Sequence, residues 1–146
     1  MLHKSVLITG GTAGIGRATA KAFAKRGYDL IITGRRKDRL RVIKTKYESK
    51  YATNVTILNF DIRDKLAVKR ALNSVKKKLK TLDILINNAG LACGKDKIQE
   101  ACIDDWDAMI DTNVKGLLYI TRLVAPYMVK RRDIKEVGST VHPNLQ

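Results

Sequence analysis

Long apolar runs are missing from this 146-residue chain. No stretch approaches the ~20 residues that a membrane-crossing helix needs. Cysteine is scarce. Cys93 and Cys102 match neither the spacing of a zinc site nor a disulfide framework. Both are expected to be reduced, buried or idle thiols, and no metal site is read from the sequence. Residues 1–4 lead almost directly into an apolar segment, leaving no room for a signal peptide, so a cytoplasmic chain is expected. Internal repeats, low-complexity stretches and linkers are also lacking. Residues 1–146 therefore read as one domain, large enough to bury roughly two-thirds of its unfolded surface.

Acidic residues are few as well: 14 against 29 lysines and arginines, a formal net charge of +15. The cations cluster at 35–50 and 63–80. A basic surface attracts polyanions, but no helix-turn-helix, zinc-finger or aromatic RNA-binding pattern accompanies this charge. The reading adopted is that Lys and Arg line the solvated faces of two helices. Nucleic acid is not the expected partner, and an anionic ligand is favoured.

What is present begins with Thr9-Gly10-Gly11-Thr12-Ala13-Gly14-Ile15-Gly16, directly after Val6-Leu7-Ile8. This is the order strand, glycine-rich turn, helix. A helix N-terminus exposes unpaired N–H groups and about half a positive charge. A pyrophosphate can sit there if the backbone comes close, which glycine allows. The flanking elements supply the context that a short glycine pattern alone lacks.

Strands and helices then alternate. Strands are predicted at 6–9, 28–33, 55–60 and 83–86. Helices are predicted at 15–26 (inner face Ile15, Ala18, Thr19, Ala22, Phe23, with Gly27 as its stop) and after 36 (Leu40, Ile43, Tyr47). A further helix is predicted at 65–79 (Val68, Leu72, Val75, Leu79). A long helix at 104–130 has the apolar face Ile103, Trp106, Ile110, Val114, Leu117, Tyr119, Ile120, Val124 and Met128. Continuous apolar strands joined by amphipathic helices imply a parallel sheet covered on both faces. Right-handed crossovers make this an α/β, Rossmann-type doubly wound sheet with the first strand near its centre. A fifth strand near 131–139 would carry adjacent Lys135 and Glu136, one charge toward each face. It is expected to be short or absent, with residues 131–146 a poorly ordered tail.

Three more signals sit where a dinucleotide would need them. Asn87-Asn88-Ala89-Gly90 follows the fourth strand. Asp61-Ile62 follows the third, where a carboxylate can accept from an adenine amino group. Asn113 lies inside the long helix, where asparagine is a poor helix former. At the end of the second strand stands Gly34-Arg35-Arg36, with Arg17 just past the glycine turn. An NAD site usually has a carboxylate there. Guanidinium groups instead suit a 2′-phosphate, so NADP is the expected cofactor.

With these motifs the chain resembles the short-chain dehydrogenase/reductase family from Lys4 to about Met128. The resemblance implies that Gly10, Thr12, Gly14, Ile15 and Gly16 line the pyrophosphate, and that Asp61 and Ile62 contact adenine. It implies that Asn87, Ala89 and Gly90 support the adenosine and ribose side. Asn113 then corresponds to the family's active-site Asn, and Ser139 to its substrate-orienting Ser. The stretches 91–94 and 111–118 resemble the NADP-dependent branch acting on hydroxy acids and small carbonyls. The implied reaction is hydride transfer between nicotinamide and a hydroxyl or carbonyl substrate.

The family's Tyr-x-x-x-Lys pair should follow Ser139, yet only Thr140 to Gln146 remain. The expectation is a C-terminally truncated, catalytically incomplete form of such an oxidoreductase. The alternatives are a non-catalytic nucleotide-binding or interaction protein and, after it, a basic nucleic-acid-binding protein. An exposed sheet edge and the helix at 104–130 suggest a homo-oligomer.

Overall fold

The computed structural model describes residues 4–132. Its elements run β1 (Ser5–Ile8), α1 (Gly14–Lys25), β2 (Asp29–Gly34), α2 (Lys37–Tyr51), β3 (Val55–Asn59), α3 (Lys65–Ser74), α4 (Lys76–Leu79) and β4 (Ile84–Ile86). Then come α5 (Ile103–Ile110), a π-helical turn (Asp111–Gly116) and α6 (Leu117–Arg132). The expected fifth strand, the tail and Ser139 lie outside the described residues, apart from 131 and 132, which end α6.

The four strands are all parallel, in the order β3-β2-β1-β4. Successive residues of a strand face opposite sides of the sheet, and both sides here are apolar. Val6, Ile8, Leu30 and Ile32 pack beneath α1 and α2, with Ala20, Ala24, Leu40, Ile43 and Tyr47. Leu7, Ile31 and Leu58 pack on the other side, with Val68, Leu72, Leu79, Ile120 and Val124. This is the doubly wound Rossmann arrangement, and it puts the C-terminal ends of β1, β2 and β4 side by side. Both basic stretches fall largely on exposed helix surface, while Leu40, Ile43 and Tyr47 are buried as their spacing requires.

Three predicted helices differ in detail. On α1 the buried line is Gly16, Ala20 and Ala24, not the line through Ile15 and Ala18; Ile15 is 79% exposed. Small residues spaced by four let α1 lie close on the strands, and bulk at Ile15 is left for the loop side. The predicted helix at 65–79 breaks at Val75, which has φ −114° and ψ 18°. Asn73 and Ser74 are weak helix formers, and three consecutive lysines follow. Its apolar stripe of Val68, Leu72, Val75 and Leu79 is buried even so.

The long helix differs most. The π turn inserts extra backbone into the helical repeat. The apolar line before it therefore cannot continue onto the line after it. Thr112, Gly116, Ile120 and Val124 are buried, whereas Ile103, Trp106, Ile110, Val114 and Leu117 remain exposed. Among the described residues, no helix is long and apolar enough to cross a membrane.

One clamp had no signal in the sequence. Asp83 accepts from the Ser5 N–H at 2.7 Å and pairs with Arg131 at 2.8 Å. Arg131 also donates to the Thr81 carbonyl at 2.6 Å. The group ties the start of β1, the approach to β4 and the end of α6 together. Asp83→Ala leaves a backbone donor and a guanidinium without their acceptor, at a cost of about 2 kcal/mol. A lowered urea midpoint with an unchanged m-value is the expected result.

Candidate functional site: an open cleft at the sheet's C-terminal edge

The β1–α1 turn is held from two sides. The Thr9 hydroxyl accepts from the backbone N–H groups of Asn88 and Ala89, both at 3.0 Å. The Asn88 amide returns two bonds, to the Thr9 carbonyl at 2.9 Å and the Gly10 carbonyl at 3.2 Å. On the other side the Gly11 N–H donates to the Thr33 carbonyl at 3.0 Å. The turn is thereby fixed between β2 and β4.

Packing at the turn is tight where it meets Asn88 and open where it meets solvent. A Cβ on Gly16 would lie 2.3 Å from the Asn88 amide nitrogen and 2.5 Å from the Gly10 carbonyl. Gly14, at φ +50°, has nothing within 4 Å of such a Cβ position. Ala13 caps α1 with no side-chain hydrogen bond, and no acidic residue occupies the first turn. The leading N–H groups of α1 thus face open space without a side-chain acceptor, which is the donor set an anion requires.

That space is a cleft of about 850 Å³. Of the residues singled out in the sequence, Gly10, Thr12, Gly14, Ile15, Gly16, Arg35, Arg36, Asp61, Ile62, Ala89 and Gly90 line it. Arg36 donates to the Thr12 hydroxyl at 3.0 Å, so the guanidinium is held across the turn. Arg35 lies 3.9 Å from the Asp61 carboxylate. Asp61 is gripped by Arg63, with Nη2 at 2.7 Å and Nε at 3.1 Å from its oxygens, and it also accepts from the Arg63 N–H at 3.0 Å. These bonds hold the Asp61 carboxyl below its ordinary value.

Other expected residues lie elsewhere. Arg17 borders a smaller depression between α1 and α2, with Lys21, Lys46 and Tyr47. Asn87 turns away toward α6, donating to the Thr121 hydroxyl at 3.0 Å. Asn113 uses its whole amide on one residue, accepting from the Leu91 N–H and donating to the Leu91 carbonyl, both at 2.8 Å. It anchors the segment after β4 to the π turn, and its neighbour Thr112 borders the cleft. Asn113→Ala breaks both bonds and is expected to free that segment, read as faster proteolysis after Lys95 or Lys97. Of the cysteines, Cys102 is exposed and Cys93 half-buried. Desolvation and the neighbouring Asp105 raise the Cys93 thiol's pKa.

Sequence reasoning missed three contributors. Thr9 and Asn88 brace the turn, and the Asn87-Asn88 doublet was their signal. Asn59 donates to the Gly34 and Arg35 carbonyls, both at 2.9 Å, and so fixes the backbone from which Arg35 and Arg36 project. Its signal was a polar residue closing an apolar strand.

The chain is 42% identical over 137 residues to an NADP-dependent 3-hydroxy acid dehydrogenase of Salmonella typhi, across 92% of this chain and 54% of that protein. It is 48% identical over 131 residues to a probable NADP-dependent dehydrogenase of Haemophilus influenzae, across 90% of this chain and 50% of the relative. The fold matches L-sorbose reductase of Gluconobacter frateurii, solved with NADPH and L-sorbose, with a TM-score of 0.82 at 30% identity; the match covers 90% of this chain and 49% of that one. The chain spans about half the length of the curated relatives it matches. The short chain dehydrogenase family model matches residues 4–141, and the chain belongs to that family.

Proposed function

We propose that this chain binds NADP(H) in the cleft and forms the dinucleotide-binding part of an oxidoreductase. The observation that carries the reading is the uncapped α1 N-terminus opening beside Arg35 and Arg36. The pyrophosphate is assigned to the turn from Gly10 to Gly16, a 2′-phosphate to the two arginines, and adenine to Asp61 and Ile62. Ala89 and Gly90 border the adenosine and ribose side. The names of the relatives, NADP-dependent dehydrogenases, and the NADPH-bound structural neighbour support the same cofactor.

When bound, the nicotinamide supplies hydride transfer to or from a hydroxyl or carbonyl substrate. Ser139 is proposed to orient the substrate oxygen, and Asn113 to keep the segment beyond Gly90 in place. No tyrosine in these 146 residues is followed four positions later by lysine. General acid–base assistance is worth about 10²–10⁴ in rate. The chain by itself is therefore expected to bind NADPH without measurable carbonyl reduction. Titration of NADPH and NADH by fluorescence, followed by a panel of hydroxy acids and carbonyls, tests both statements. Saturable binding that prefers NADPH supports the reading, and preference for NADH refutes it.

The exposed apolar face of α5 and the π turn (Ile103, Trp106, Ile110 and Val114) is assigned to contact with a second copy of the chain. Sedimentation should show a dimer that Trp106→Glu with Ile110→Glu converts to monomer. A wild-type monomer at high concentration would refute this assignment.

A further inference from the structure

The charges at the outer end of the cleft form a row: Arg63, Asp61, Arg35. Asp61 is the one carboxylate among the residues lining the cleft. Left bare, it would do two things to an anionic group held by Arg35. It would repel the anion directly, and it would draw the Arg35 guanidinium onto itself. The distances show that Arg63 takes up the carboxylate and leaves Arg35 only a long ion pair with it. Arg63 approaches to 2.7 Å and engages both carboxylate oxygens, while Arg35 stays at 3.9 Å, beyond hydrogen-bonding reach. The Arg63 side chain lies two residues along, outside the lining of the cleft, so it reaches the site through Asp61 alone.

Resting on the NADP(H) reading above, we infer that Arg63 is a positioning residue for cofactor choice: by occupying Asp61 it leaves Arg35 free for the 2′-phosphate. A forked guanidinium matters here because it covers both oxygens at once. A lysine in its place covers one.

The test is a set of dissociation constants measured by fluorescence titration for NADPH and NADH, with thermal unfolding recorded in parallel. R63Q is expected to weaken NADPH about tenfold and to leave NADH within about twofold, because only the 2′-phosphate meets the uncovered carboxylate. R63K should fall between R63Q and the wild type. In D61N/R63Q the charge is gone while an amide oxygen remains to accept from adenine, so the ratio of NADPH to NADH affinity, in which the shared adenine contact cancels, should return to within about threefold of the wild type's. Arg63 has no such role if R63Q weakens both dinucleotides equally or neither, or if the double variant does not recover. A merely structural role would lower the unfolding temperature and weaken both cofactors together. Wild-type protein that binds neither dinucleotide would instead overturn the NADP(H) reading itself, and the two failures are therefore separable.

Discussion

Replacing Gly16 by valine is expected to cost about 2–6 kcal/mol of stability and to abolish detectable NADPH binding. The first atom added, Cβ, would fall 2.5 Å from the Gly10 carbonyl and 2.3 Å from the Asn88 amide nitrogen. Neither neighbour can yield cheaply. Gly10 is backbone in a turn fixed to both β2 and β4, and Asn88 is committed to two carbonyls. Either α1 lifts from the sheet or the Asn88 clamp breaks. Overpacking of this kind typically costs about 1–3 kcal/mol. Breaking the partly buried hydrogen bonds of Asn88 adds about 1–3 kcal/mol. The sum is a large part of a normal domain's margin of about 5–15 kcal/mol. Binding suffers further, because the N–H groups assigned to the pyrophosphate belong to the displaced turn. Gly14→Ala is the control. Its Cβ meets nothing, so only the φ of +50° opposes it, at a cost of about 1–2 kcal/mol. Urea unfolding of both variants with NADPH titration checks the contrast. Equal stability in the two would mean that the close approach of α1 to Asn88 is not what holds the turn.

The same glycines explain what could be read in advance. Strand positions, the burial of Leu40, Ile43 and Tyr47, and the location of the cleft all follow from local signals. Apolar runs mark buried parallel strands, and a glycine cluster between strand and helix has few other uses. Helix faces were less legible because hydrophobic periodicity weights bulky residues. On α1 the contact is made by Gly16, Ala20 and Ala24, which such a pattern discounts. The π turn was hidden for a different reason. It coincides with a long-range pairing, the two hydrogen bonds between Asn113 and Leu91, and nothing within residues 103–130 reveals it beyond an asparagine in an awkward place. The rows of charge are intermediate. Arg35 and Arg36 were visible from their position after β2. Arg63, by contrast, gains meaning only when the fold brings Asp61 and Arg35 together. The Asp83–Arg131 clamp joins residues 48 apart in sequence and could not be foreseen from either.

The arginine pair carries the second large effect. Replacing Arg35 and Arg36 together by alanine is expected to weaken NADPH about a hundredfold while NADH changes by less than threefold. The cleft offers a 2′-phosphate two guanidinium groups, one of them held at the Thr12 hydroxyl. A hydrogen bond to a charged group contributes about 1.5–3 kcal/mol, and exposure puts both arginines at the lower end of that range. Two such contacts come to about 3 kcal/mol, which is about two decades in affinity. NADH has no phosphate at that position and loses only stacking and packing against the side-chain stems. Salt provides an independent check. The wild type's affinity for NADPH should fall more steeply with ionic strength than its affinity for NADH, and the two slopes should converge in the double variant. If instead the variant weakens both dinucleotides alike, the two arginines serve the turn as a whole, and the choice between cofactors must be made by other residues.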